Sequence, residues 1–219
     1  NEKEVSNMKK FKALLVVACA LLLVAASVFG TMAYLTSTDT VTNTFTVGKV
    51  NIKLDEAKAN PDGSLVANAA RVKANEYKLL PGHTYNKDPM VTVLSGSESS
   101  YVKMTVTFSK ASALDAIFAH AGAELTSIFN DYDPANWIYK GNTKDATADT
   151  RTYEFWYKET VGAPTADVTL DALFDSITVP GAITAEQLAT IEGMTITVNA
   201  YAIQADGFAN ADAAWAAFN

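Results

Sequence analysis

The chain has 219 residues, a formal net charge of −7, two histidines and one cysteine. An acidic surface repels a phosphate backbone, which excludes nucleic acid as a partner. The lone Cys19 lies in an N-terminal apolar run, so the rest of the chain must be held by a hydrophobic core and not by disulfides.

Lys9, Lys10 and Lys12 precede an unbroken run of apolar and small residues from Ala13 to Phe29, which ends at Gly30-Thr31-Met32-Ala33. Small residues at the minus-three and minus-one positions, Thr31 and Ala33, just before Tyr34, are the pattern of a secretory signal and its cleavage site. Residues 1–33 therefore read as a signal peptide cut after Ala33. The polar residues before Met8 add nothing to that signal, and Met8 is a candidate start. The uncleaved signal helix is the one membrane contact expected. Residues 34–219 are one domain's worth of chain.

The exported part opens with TSTDTVTNTFT, in which every second residue from Thr36 to Thr46 is threonine. Only a paired β-strand uses a strict period of two. The opposite face becomes apolar towards its end, at Val41, Phe45 and Val47. Apolar residues then recur at Val50, Ile52 and Leu54, so the buried face changes parity at Gly48-Lys49. A glycine at such a shift marks a bulge or a break between strands with different partners. Residues 34–48 thus separate from a β-domain spanning 49–219.

Strands are predicted at PMVTVL, YVKMTVTF, NWIYK, TYEFWYKE, DVTL and MTITVNAYAIQ, where residues such as Val102, Met104, Val106 and Phe108 share one face. Loops are predicted at 57–64, 95–100 and 141–150, each polar and carrying glycine or threonine. Leu114, Ile117, Phe118 and Ala121 have helical spacing with Gly122 as a stop. Thr184-Ala-Glu-Gln187 is a capping box for a helix ending at Gly193. The tail places Trp215 and Phe218 on one helical face, with Asn210 or Asp212 as cap. Together these give an all-β, jelly-roll-like antiparallel β-sandwich decorated with a few short helices.

Chemistry-bearing residues are sparse. His83 and His120 have no second histidine a helical turn away, so no zinc-protease helix is present. Asp131, Asp133 and Asn136 supply only a fragment of a calcium loop. The serines of SGSESS lack a nucleophile context. No catalytic residue, metal ligand or cofactor is expected.

The stretch GTMAYLTSTDTVTNTFTVGKVNIKL resembles the start of the exported proteins processed by the ER-type signal peptidase SipW in Gram-positive bacteria, the family of the TasA and camelysin proteins. LLPGHTYNKDPMVTV, SSYVKMTVTF and AYAIQADGF with the later AAW extend the resemblance, which leaves 110–190 unmatched. It implies a jelly roll secreted to the cell surface or extracellular matrix of a Gram-positive bacterium. It further implies a structural subunit of a fibre or biofilm matrix, whose mature N-terminal strand inserts into the next copy of the chain. In that scheme Val41, Phe45 and Val47 anchor the donated strand and Gly48 is its hinge. The signal peptidase is the processing partner, and a minor anchoring or capping homologue can complete the assembly. Two other readings compete: a camelysin-like secreted metalloprotease, and a monomeric adhesin or glycan-binding sandwich using Trp137, Tyr139 and Trp156.

Overall fold

The computed structural model describes residues 7, 8, 10–12, 14–22, 48–118 and 128–218. The chain divides into two units, Asn1–Thr46 and Val47–Asn219. In the first, the described residues are helical. Among the described residues no helix is long and apolar enough to cross a membrane.

The second unit is an antiparallel β-sandwich. Nine strands are described: β1 Ile52–Asp55, β2 Thr84–Asn86, β3 Met90–Val93, β4 Ser100–Ser109, β5 Trp137–Asp145, β6 Thr150–Tyr157, β7 Val168–Thr169, β8 Ser176–Thr178 and β9 Ile196–Gln204. One sheet has the order β5-β6-β4-β9. Strands β1-β3-β7 and β2-β8 pair separately. They are nevertheless one surface, because Lys87 N–H donates to the Asp175 carbonyl, Leu173 N–H to Pro89 and Leu170 N–H to Val91. The β2–β8 ladder therefore runs on into the β3–β7 ladder as a single long antiparallel pair.

The period-two pattern positions the core. Along β4 the residues alternate buried and half-buried, with Val102, Met104 and Val106 fully enclosed. They meet Val91 and Val93 of the facing sheet and the rings of Tyr153 and Phe155 in one cluster. Phe129 stands at its aromatic centre, 4.6 Å from Phe174, 5.3 Å from Tyr153 and 5.8 Å from Phe108 between ring centroids. The Phe129–Tyr153 pair is edge-to-face, and such a pair at this spacing adds to what the buried area alone contributes.

Helices α1 Ala111–Ile117, α2 Ala185–Thr190 and α3 Ala211–Ala217 decorate the sandwich. The capping box forms as predicted: Thr184 Oγ1 accepts from Gln187 N–H, and Gln187 Oε1 accepts from Thr184 N–H. Asn210, not Asp212, caps α3 by accepting from Ala213 N–H. Trp215 and Phe218 do share a face, with ring centroids 5.4 Å apart. Ala121 and Gly122 lie outside the described residues.

One predicted loop is corrected. Residues 141–145 continue β5, and only 146–149 form the turn. The ladder slips between Tyr139 and Gly141 and resumes with Gly141 opposite Glu154. Gly141 sits at φ 124, which a β-carbon disfavours, so the glycine makes a bulge where it had read as a loop. Polar residues follow it because β5 is a sheet edge with one face in water.

Candidate functional site

Strands β1 and β9 are the edges of the two sheets on one side of the sandwich, and they approach each other. Hydrogen-bonded pairs alternate along an antiparallel ladder. Ser109 N–H donates to the Thr195 carbonyl and Ala205 N–H to that of Ser99, so odd-numbered residues of β9 bond to β4. Ile196, Val198, Ala200 and Ala202 therefore turn their backbone groups outward, where β9 has no strand partner among the described residues. Their side chains pack on the core. The edge of β1 is different, because Glu56 exchanges both backbone bonds with Val72.

Between the end of β1, the segment Val72–Leu79 and the start of β9 opens a groove of about 1190 Å³. Phe108, Leu114, Ile117, Ile177 and Leu188 line it, so the core is reached from outside. Small-molecule clefts and cavities run to about 300–1,000 Å³. This one is flanked by a strand edge that has no partner among the described residues and whose apolar side chains face inward, the arrangement that accepts an added strand.

The wall Val72–Leu79 has no regular secondary structure and is held by polar contacts. Tyr77 Oη donates to the Asn86 carbonyl at 2.6 Å. Tyr85 Oη accepts from Leu80 N–H at 2.6 Å and donates to the Lys78 carbonyl at 2.8 Å. Burial, and then the Glu56 charge, push the Tyr77 hydroxyl well above the usual phenol range. At the base of the wall Arg71 clamps two carboxylates, Asp55 at 2.6 Å and Asp88 at 2.8 Å. Burial alone raises the Asp55 carboxyl, but hydrogen bonds from Lys53 and Arg71 outweigh it and leave it below its ordinary 3.8.

Next to that clamp, Lys87 and Glu56 are buried together, with Nζ 2.5 Å from Oε2. The other oxygen of Glu56 accepts from Asn75 Nδ2 at 3.0 Å. Burying two charges is costly unless their remaining hydrogen-bonding capacity is met, and here both carboxylate oxygens are used.

Of the residues singled out from sequence, Thr31, Ala33, Tyr34, Val41, Phe45 and Val47 lie outside the described residues, as does His120. Gly48 is exposed and its φ is not left-handed. A β-carbon there would meet only the flexible end of Glu98, at 2.9 Å. His83 is exposed beside a Pro-Gly turn. Asp133 accepts from Asn136 Nδ2 at 2.9 Å, and the same amide bonds Asp171, while Asp131 is exposed. Among the described residues no three of His, Cys, Asp and Glu gather as a metal-binding group.

Trp137 is not the exposed platform that glycan binding would need. It is fully buried, and its Nε1 donates to the Asp171 carbonyl at 3.1 Å. Tyr139 is half-buried against Phe155, and Trp156 lies beneath the Lys140 ammonium. Sequence reasoning missed Glu56, Asn75, Arg71 and Lys87. The one available signal was Asp55-Glu56 ending an alternating strand whose core face is apolar.

No protein-family model, no curated protein and no solved structure matches the chain.

Proposed function

We propose that this chain is a structural subunit of an extracellular fibre or biofilm matrix, akin to the SipW-processed exported proteins. After cleavage following Ala33, residues 34–47 leave their own copy and enter the groove of the next. The groove beside the edge of β9, which has no strand partner among the described residues, is the observation that carries this reading. An added strand gains main-chain hydrogen bonds along the edge, while Val41, Phe45 and Val47, all of one parity, fill the apolar floor. Head-to-tail donation does not close on itself, so it yields filaments. The threonine face keeps the segment soluble until it is paired.

Electron microscopy of the chain beginning at Tyr34 tests this. Fibres are expected, and deletion of residues 34–47 is expected to abolish them while the sandwich stays folded. A synthetic peptide of residues 34–48 should bind the deleted domain, and its Phe45→Ala, Val47→Ala form should not. A monomer that keeps residues 34–47 in its own sheet would overturn the proposal.

A further inference from the structure

A lysine amine, a side-chain amide and a bridging carboxylate meet in the wall of the groove. Glu56 binds Lys87 Nζ through Oε2 at 2.5 Å and Asn75 Nδ2 through Oε1 at 3.0 Å. Glu56 and Lys87 are each more than nine-tenths buried. Asn75 is fixed independently by the backbone, since Nδ2 also donates to the Ala57 carbonyl at 2.8 Å and Oδ1 accepts from Ala59 N–H at 2.9 Å. These partners set the amide orientation, because the opposite flip would oppose donor to donor and acceptor to acceptor.

We propose that Lys87 and Asn75 join in an intramolecular isopeptide bond, with Glu56 carrying the protons. A carboxylate that touches both reacting groups holds them together without the entropy cost of an encounter. The first step passes a proton from the Lys87 ammonium to the Glu56 oxygen 2.5 Å away. The freed amine attacks Cγ of Asn75, forming the Nζ–Cγ bond and placing negative charge on Oδ1. Ala59 N–H already points at that oxygen and stabilises it as the charge develops. Glu56 then delivers its proton to Nδ2 and recovers one from Nζ. Collapse of the oxyanion breaks the Cγ–Nδ2 bond, and ammonia leaves with the bonding pair. The ion pair and primary amide become a secondary amide, a neutral Glu56 and ammonia, with no outside oxidant or co-reactant.

The frame around the triad serves this geometry. Glu56 is held by its paired bonds to Val72, and Lys87 by its N–H to Asp175. Arg71 binds Asp88, whose other oxygen accepts from Ala57 N–H at 2.6 Å. The three reacting side chains thus come from the residue just after strand β1, the groove wall and the β2–β3 junction, and the bond would fasten the wall to the sandwich. It forms whether or not the chain polymerises.

Mass spectrometry decides the matter. The intact chain should weigh about 17 Da less than its sequence requires, the mass of one ammonia. After trypsin, the peptide Ala74–Lys78 should appear only linked to Leu79–Lys103, with no cleavage after Lys87. Glu56→Gln, Lys87→Arg and Asn75→Ala should each restore the sequence mass, with circular dichroism confirming that each variant is folded. A wild-type chain at its full sequence mass, or a free Ala74–Lys78 peptide, overturns the proposal. So does an ammonia loss without a linked peptide. A Glu56→Gln variant that still links removes Glu56 as the proton carrier.

Discussion

The parity of β9 makes a sharp prediction about proline. Val198 stands opposite Val106, a pair between two hydrogen-bonded ones, so its N–H points away from β4 into the groove edge. Thr197 stands opposite Thr107 and its N–H bonds inward. Proline has no N–H and is tolerated in a strand only where that group is unpaired. Val198→Pro should therefore cost only about 1 kcal/mol, the strain of fixing φ, since proline keeps most of the side-chain volume. Thr197→Pro forfeits a ladder bond worth about 1 kcal/mol and leaves the Thr107 carbonyl unsatisfied for a further 1–3, a total of about 3 kcal/mol. Urea titration followed by tryptophan fluorescence measures the difference. If β9 accepts the donated strand, Val198→Pro is also folded and unable to assemble, because the added strand finds no donor there. Equal destabilisation by the two prolines would refute the ladder parity. A stable Val198→Pro protein that still forms fibres would refute β9 as the accepting edge.

Other substitutions probe the core and the clamp. Phe129→Ala should lose about 3–5 kcal/mol in the same titration, because the four rings around it cannot collapse together into its place; a loss under about 1 kcal/mol would mean the cluster is not the core. The Asp55 carboxyl is depressed in the folded state, so its contribution is present above the ordinary 3.8 and disappears as pH falls through the lower folded value. Stability measured from pH 5 downward should drop less steeply for Asp55→Asn than for the parent chain, and identical slopes would remove Asp55 from the acid response. Asp175 works in the opposite sense: burial, then the charges of Asp131 and Asp88, raise its carboxyl, so Asp175→Asn should stabilise the protein at neutral pH.

The sandwich was legible because its signals are local. Alternation in β4 and β6 requires only that one face be buried, and the capping box and Asn210 cap act within a single turn. The β5 extension was hidden because Gly141 reads alike as a loop residue and as a bulge; only the partner strand distinguishes them. Trp137 misled for a related reason, since an aromatic next to Asn and Ile has no periodicity that fixes its face. The groove wall was beyond reach. Val72–Leu79 has no regular structure, and its polar contacts join Asn75 to Glu56 and Lys87 to Glu56 across 19 and 31 positions of chain. Pairing at such separations leaves no mark on local spacing.

The polar character of that wall follows from what the groove must resist. An exposed apolar floor lowers its free energy most simply if the nearest segment folds down over it, burying the same surface within one chain. Val72–Leu79 is that segment, and it carries Leu79 and Tyr77 that could take part. Apolar contacts would not hold it off the floor, because hydrophobic burial is non-directional and is satisfied equally by collapse. Hydrogen bonds and ion pairs are directional. Collapse would strip Asn75 from Ala59 and Glu56 and leave a buried carboxylate short of partners, which costs several kcal/mol. The buried charges near the groove thus work as specificity for the open form, and a covalent Lys87–Asn75 bond would make that choice permanent. On this view Glu56→Leu, which removes the carboxyl group and adds apolar surface, should close the groove without unfolding the sandwich. Peptide 34–48 should then fail to bind a variant at least as stable as the parent; a stable Glu56→Leu protein that still binds the peptide would show that the polar wall is not what keeps the groove open.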